Sequence, residues 1–157
     1  MTSRAFTFAL CGTAIILAVV PMASATGQSP AAKLASAPAI AYVKVSGVDY
    51  AFQAPATVPS GIVTFNLENN GSDLHAMAVF ELPEKHTMRE FLDQYHTHGM
   101  IPVWMTSFGQ TATIAPKAET FLTVRLKPGR YILACLIPAR DGRVHTEKGM
   151  VTLVTAK

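Results

Sequence analysis

From residue 40 onward the chain consists of short runs in which apolar and polar residues alternate, separated by turn-forming residues. In the run 119–127, Leu122, Val124 and Leu126 fall on one face and polar residues mostly on the other. Such alternation indicates β-strands, because successive side chains of a strand point to opposite faces of the sheet. The runs are 40–46, 48–53, 61–69, 75–82, 119–127, 130–137 and 149–155, with Gly47 as the expected break between the first two. Seven or eight short strands predict an all-β domain, an antiparallel Greek-key β-sandwich.

One segment between these runs has a different period. Thr87 and Glu90 have the spacing of a capping box, and Phe91 and Tyr95 recur at helical spacing behind them. Gly99 is the expected stop signal. The sequence therefore predicts one short helix near 87–96, inserted into the sandwich.

Residues 1–25 have the organisation of a secretory signal peptide. Arg4 provides the positive start, residues 6–20 are apolar, and small residues precede an expected cleavage after Ala25. An apolar run of about fifteen residues is shorter than the roughly 20 that a membrane-spanning helix needs. We therefore expect export to the periplasm or the medium, with no membrane span after cleavage.

The rest of the chain divides into a linker and a domain. Residues 26–39 are rich in Ala, Ser and Pro without periodicity, which indicates a flexible linker, and 40–157 form the predicted domain. Cleavage removes one of the 13 Lys and Arg residues, Arg4, leaving 12 against 10 Asp and Glu, a formal charge of +2. So small a charge gives no support for nucleic-acid binding.

Cysteine content limits the chemistry of the exported part. Cleavage removes Cys11 and leaves Cys135 alone, so no internal disulfide can form. Cys135 is therefore buried as a free thiol, paired with another molecule, or bound to a metal.

Three potential metal ligands fall within one C-terminal stretch. Cys135 follows a strand, His145 follows a loop with an Asp-Gly turn, and Met150 leads into the last strand. A thiolate, an imidazole and a thioether, joined by a second imidazole, are the donors of a blue-copper site. His75, at the head of an apolar strand, is the best-placed second imidazole.

These motifs resemble the cupredoxin family, the plastocyanin- and azurin-like blue copper proteins. The resemblance covers about residues 40–157 and rests on an N-x-G-x-x-x-H turn ending at His75, a G-x-Y-x-x-x-C strand ending at Cys135, and the following His145 and Met150. It implies one copper ion bound by His75, Cys135, His145 and Met150. The residue order and spacing of the C-terminal stretch are also similar to those of exported bacterial cupredoxin-like proteins with a long loop between cysteine and histidine.

The function that follows from this reading is one-electron transfer with a protein redox partner. A copper chaperone or copper-tolerance protein, with a copper-transfer partner, is the alternative, and a metal-free β-sandwich that acts as an interaction module is a third. An enzyme is not expected, because a site with four protein ligands leaves no open position for a substrate.

A second group of soft and borderline donors follows the predicted helix. His96, His98 and Met100 lie within five residues of one another. They are either a second or alternative copper site, or a solvated helix end with histidines near its C-terminal dipole, and the second interpretation is favoured.

Overall fold

We describe the protein from a computed structural model that covers residues 39–157. The predicted signal peptide, 1–25, and residues 26–38 of the predicted linker lie outside the described residues. The strands are β1 Ile40–Val48, β2 Ala51–Gln53, β3 Thr57–Val58, β4 Gly61–Asn69, β5 Ala78–Leu82, β6 Thr106–Gln110, β7 Glu119–Leu126, β8 Gly129–Ala134 and β9 Val151–Ala156. Helix α1 spans Met88–His98, and a 3₁₀ turn spans His145–Lys148.

The strands form two sheets, ordered β2-β1-β4-β7 and β3-β9-β8-β5-β6. The predicted all-β sandwich with one inserted helix is confirmed, but its sheets are mixed rather than purely antiparallel. β1 runs parallel to β4, and β3 runs parallel to β9. The alternation of side chains identifies the buried face of a strand and carries no information on the direction of its neighbour, which explains the difference.

The core lies between the two sheets. It is built from the alternate residues of the strands that the sequence pattern identified, among them Val45, Phe65, Leu67, Val79 and Leu133, each fully buried. Cys135 and Met150 belong to this same cluster. The candidate ligands thus extend the packed core at one end of the sandwich.

Helix α1 belongs to a second apolar cluster with the other face of β5 and β8. Phe91 and Tyr95 share this cluster with Phe80 and Ile132. The capping box is confirmed, because Thr87 accepts from the Glu90 amide at 3.1 Å and Glu90 accepts from the Thr87 amide at 2.7 Å. Gly99 ends the helix in the left-handed region, with φ 66°. Within residues 39–157, no helix is long and apolar enough to cross a membrane.

Several predicted strand limits are wrong. Gly47 lies inside β1, paired with Phe52, and the chain turns after Val48. β3 and β6 were not predicted, because they are short and mostly exposed strands without a clear alternation. His75 precedes β5 and makes only an isolated bridge with Ile114.

Candidate metal centre

The four predicted ligands lie in the segments between strands rather than within them. Cys135 directly follows β8, His145 begins the 3₁₀ turn, and Met150 directly precedes β9. His75 ends the turn that leaves β4. All four side chains are fully buried, with 0% exposure.

The structure brings three of the four donor atoms together directly. Nδ1 of His75 lies 3.2 Å from Nδ1 of His145, and Sγ of Cys135 lies 3.5 Å from the same His145 atom. One ligand atom from each of the three residues lies within 4.8 Å of the others. Donors held about 2.0–2.3 Å from one shared ion are roughly 3.5 Å apart, so these spacings fit a single metal ion.

The Met150 side chain packs beside Gly47 of β1. A carbon built as Cβ on Gly47 would lie 3.2 Å from the Met150 methyl group and 3.3 Å from Cδ2 of His75. Both side chains therefore pack against Gly47. The Met150 amide donates to the His145 carbonyl at 2.9 Å, which holds the backbones of the two residues together.

The long segment between Cys135 and His145 is itself folded. Ala139 donates to the Arg143 carbonyl at 2.8 Å, and Pro138 and Val144 form an isolated antiparallel bridge. Nine residues thus turn back as a small hairpin. Thr146 then closes its base, because its amide and its hydroxyl both donate to the Cys135 carbonyl, at 2.9 Å and 2.7 Å.

The turn before His75 is organised by a buried asparagine. Asn69 accepts from the Gly71 amide at 3.0 Å and donates to the carbonyls of Asp73 and Ile114, at 2.8 Å and 3.1 Å. This explains the Asn at the start of the N-x-G-x-x-x-H motif, because one side chain holds both ends of the turn.

Burial sets the charge of the donors. It raises the pKa of the Cys135 thiol, although the amides of Ala76 and Ile137 act in the opposite direction. It also lowers the pKa of His145, and the neighbouring His75 acts in the same direction while Asp73 opposes it. A neutral imidazole offers a lone pair, and a metal ion would have to displace the thiol proton.

An aromatic ring and an ammonium group cover His145 on the outside. The Tyr50 ring meets His145 edge-on at 4.7 Å between centroids, and Lys148 Nζ lies 4.4 Å from the centre of the Tyr50 ring. Asp141 holds that lysine through a 2.8 Å ion pair. The arrangement explains the complete burial of a histidine that begins a surface turn.

Sequence reasoning missed two carboxylates beside the histidines. Asp49 Oδ1 lies 2.9 Å from Nε2 of His75, and Asp73 Oδ2 lies 3.7 Å from Nε2 of His145. Both lie in turns of the structure, although Asp49 falls within the predicted strand 48–53. Asp73 lies within the motif quoted for His75, but Asp49 follows a strand 26 positions earlier, and no local pattern joins it to a histidine.

The second group of donors does not converge. His96 lines a groove of about 470 Å³ between α1 and the 3₁₀ turn, with Nδ1 3.5 Å from Glu147 Oε1. His98 and Met100 line a separate, smaller depression. Among the described residues, the group of His75, Cys135 and His145 is the one set of three His, Cys, Asp or Glu side chains with metal-binding proximity.

Sequence comparisons identify no relative, since neither a family model nor a curated protein matches the chain. Solved structures do match. Reduced auracyanin from the photosynthetic bacterium Roseiflexus castenholzii is 20% identical, with 75% of this chain and 96% of that chain covered and a TM-score of 0.51. Auracyanin A from Chloroflexus aurantiacus, described as a "blue" copper protein, is 14% identical over 76% of this chain and 100% of its own, with a TM-score of 0.53. Reduced rusticyanin is 17% identical, with 75% of this chain and 79% of that chain covered and a TM-score of 0.50.

Proposed function

We propose that this chain, a cupredoxin by its fold, binds one copper ion and passes single electrons to and from a protein partner. His75 and His145 would hold the ion through Nδ1, Cys135 through its thiolate, and Met150 through its thioether as a weak fourth ligand. In such a site copper supplies a one-electron couple, because thiolate and thioether suit Cu(I) while imidazole also suits Cu(II).

The observation that carries the proposal is the approach of three donor atoms inside a closed core. The two Nδ1 atoms lie 3.2 Å apart and the sulfur lies 3.5 Å from one of them. Two buried imidazole nitrogens 3.2 Å apart cannot both carry a proton, so either one donates to the other or both direct lone pairs at a shared cation; the sulfur beside them favours the cation. A thiolate with two imidazoles selects copper or zinc, and a nearby methionine favours copper.

Burial supports electron transfer over copper delivery. A chaperone hands its ion to a partner by ligand exchange, which requires exposed donors, whereas all four candidate ligands have 0% exposure. An electron needs no such opening. The hydrogen bonds from Thr146 to the Cys135 carbonyl also hold the sulfur-bearing residue in place, which keeps rearrangement small when the charge of the site changes. Auracyanin A and rusticyanin, which have a similar fold, are both copper proteins, and this supports copper as the bound ion.

We further propose that the protein works in the periplasm or outside the cell. The support is the order of Arg4, the apolar residues 6–20 and the small residues before Ala25. Expression in a bacterial host followed by N-terminal mass analysis should find a mature chain that begins at or near Thr26. An intact Met1 in the membrane fraction would contradict export.

The copper assignment is tested by adding Cu(II) to the purified protein and recording its visible spectrum and its intact mass. We expect one copper per chain and an intense thiolate-to-copper absorption. Cys135→Ser should remove that absorption and weaken binding greatly, because a neutral hydroxyl replaces a soft anion. Equal copper affinity of the two proteins under chelator competition would overturn the assignment.

Methionine substitutions test the axial ligand with a matched control. Met150→Leu should change the reduction potential and the spectrum while the protein still binds copper. Met105→Leu changes a buried methionine in the cluster around α1 and should leave both unchanged. Identical spectra and potentials in the two variants would remove Met150 from the ligand set.

A further inference from the structure

We propose that Asp49 and Asp73 are the positioning carboxylates of the two histidines, each turning the Nδ1 lone pair of its imidazole inward and favouring the more highly charged state of the bound ion. The inference rests on the proposed copper site and extends it to the reduction potential.

The outer nitrogens of both histidines lack a well-angled hydrogen bond although both are buried. Nε2 of His75 and Nε2 of His145 have no such partner among the described residues. The polar atoms beside them are carboxylate oxygens, Asp49 Oδ1 at 2.9 Å from His75 and Asp73 Oδ2 at 3.7 Å from His145. A ring nitrogen that presented its lone pair to a carboxylate would be repelled, so Nε2 carries the proton and Nδ1 the lone pair. Carboxylates commonly orient metal-bound histidines in this way.

Asp49 is fixed in this position by the turn that carries His75. The Ser72 amide donates to Asp49 Oδ2 at 2.6 Å, the Ser72 hydroxyl donates to the same oxygen, and the Asp73 amide donates to Oδ1 at 3.3 Å. Both carboxylate oxygens of Asp49 thus accept hydrogen bonds, which is the environment of an ionised carboxylate next to His75.

Gly71 makes the approach of Asp49 to His75 possible. A Cβ on residue 71 would lie 2.7 Å from His75 Nε2 and 2.9 Å from Asp49 Cγ. Both distances are shorter than a carbon contact allows. The glycine of the N-x-G-x-x-x-H motif thus leaves the space in which carboxylate and imidazole meet.

Asp73 is placed by the neighbouring aromatic ring. The Tyr50 hydroxyl donates to Asp73 Oδ2 at 3.3 Å, and the same ring lies edge-on against His145. Each carboxylate is about three-quarters covered, with 24% side-chain exposure. Water therefore screens their charges only in part, and two negative charges next to the centre favour Cu(II) over Cu(I).

Isosteric substitutions separate this role from simple packing. Asp49→Asn and Asp73→Asn keep the shape of the side chain and remove its charge. Glu84→Gln is the control, because it removes one exposed negative charge far from the candidate site. Glu84 lies beside the start of β8, whereas Cys135 follows the end of that strand. Dissociation constants for Cu(II) and Cu(I), from chelator competition, and the midpoint potential are measured for each protein.

We expect each Asp→Asn variant to bind Cu(II) about 10–100-fold more weakly, with a smaller loss for Cu(I). The reduction potential should then rise by about 59 mV for each tenfold difference between the two losses. The control should match the wild type. Wild-type affinities and potentials in both Asp→Asn variants would overturn the inference while leaving the copper site intact.

A measurement without metal tests the same contacts if no copper binds. Nitrogen NMR of the imidazole rings at mildly alkaline pH reports which nitrogen carries the proton. The metal-free wild type should have the proton on Nε2 of His75, whose carboxylate partner lies at 2.9 Å, and Asp49→Asn should lose that preference. A proton on Nδ1 of His75 in the wild type would refute the positioning role, whereas failure to take up copper would refute the proposed function alone.

Discussion

Nδ1 of His75 and Nδ1 of His145 lie 3.2 Å apart, although 70 positions separate the two residues in the chain. Each nitrogen is directed at the other from a different segment, one from the turn after β4 and one from the 3₁₀ turn before β9. Cys135 Sγ completes the cluster at 3.5 Å from His145.

This arrangement predicts proton release on copper binding. Because burial raises the pKa of Cys135, the thiol stays protonated at mildly alkaline pH until a metal replaces the proton. About one proton per copper ion should therefore appear in the solution. Calorimetry in two buffers of different ionisation enthalpy measures this number, and Cys135→Ser is the control that should release none. No release from the wild type would mean that the sulfur is not a ligand.

Gly71→Ala should damage the centre without disturbing the rest of the sandwich. The added carbon would meet His75 Nε2 at 2.7 Å, so the imidazole or Asp49 must move. We expect a loss of about 1–3 kcal/mol in unfolding free energy, as for other overpacked sites, together with weaker copper binding. Gly142→Ala is the control, because a Cβ at that position meets no atom within 4 Å. This variant therefore reports only the backbone strain of an alanine at φ 81°. Unchanged denaturation midpoint and copper affinity in Gly71→Ala would contradict the contact.

Copper titration should end at one equivalent per chain. The donors His96, His98 and Met100 line two separate depressions, and His96 lies next to Glu147. Replacing His96 and His98 together with alanine should leave the stoichiometry at one, as measured by metal analysis after desalting. Two equivalents in the wild type and one in the double variant would restore the second site.

Helix α1 should lose stability in acid through its first turn. The Thr87 amide lowers the pKa of Glu90 in the folded protein, from an ordinary value of 4.5. A carboxyl group with a lowered pKa stabilises the fold above its unfolded pKa, and that contribution disappears as the pH falls through the folded value. The difference in unfolding free energy between wild type and Glu90→Gln should therefore shrink below about pH 4.5. Glu84→Gln serves as the charge-matched comparison, and a difference that stays constant into acid would rule out the carboxylate cap.

The faces of the strands and the position of the helix could be predicted because both depend on local pattern. Alternation identifies the apolar core-facing residues of β4 and β7, and Thr87 with Glu90 marks the start of α1 within one turn. The parallel pairing of β1 with β4 could not be predicted, because strand direction depends on where the chain returns after β3.

The candidate ligands could be found because residue type and order distinguish them. Thiolate, imidazole and thioether donors in one stretch are uncommon, and His75 ends a recognisable turn. Asp49 and Tyr50 could not be found, since their roles depend on a turn after β1 that folds against residues 72–75 and 145. No periodicity or spacing reports a contact between two loops.

Cys135 is the one cysteine among the described residues, so this part of the chain contains no disulfide cross-link. A metal bound to His75, Cys135 and His145 would supply a removable one, because an unfolded chain scatters these donors and keeps no site. At a free ion concentration 1,000 times the dissociation constant, such binding adds about 4 kcal/mol to the folded state. The lifetime of the protein against proteases would then depend on the copper supply of its compartment. Chains made under copper starvation would be degraded faster than copper-loaded chains, so the amount of protein in the compartment would increase with its copper concentration.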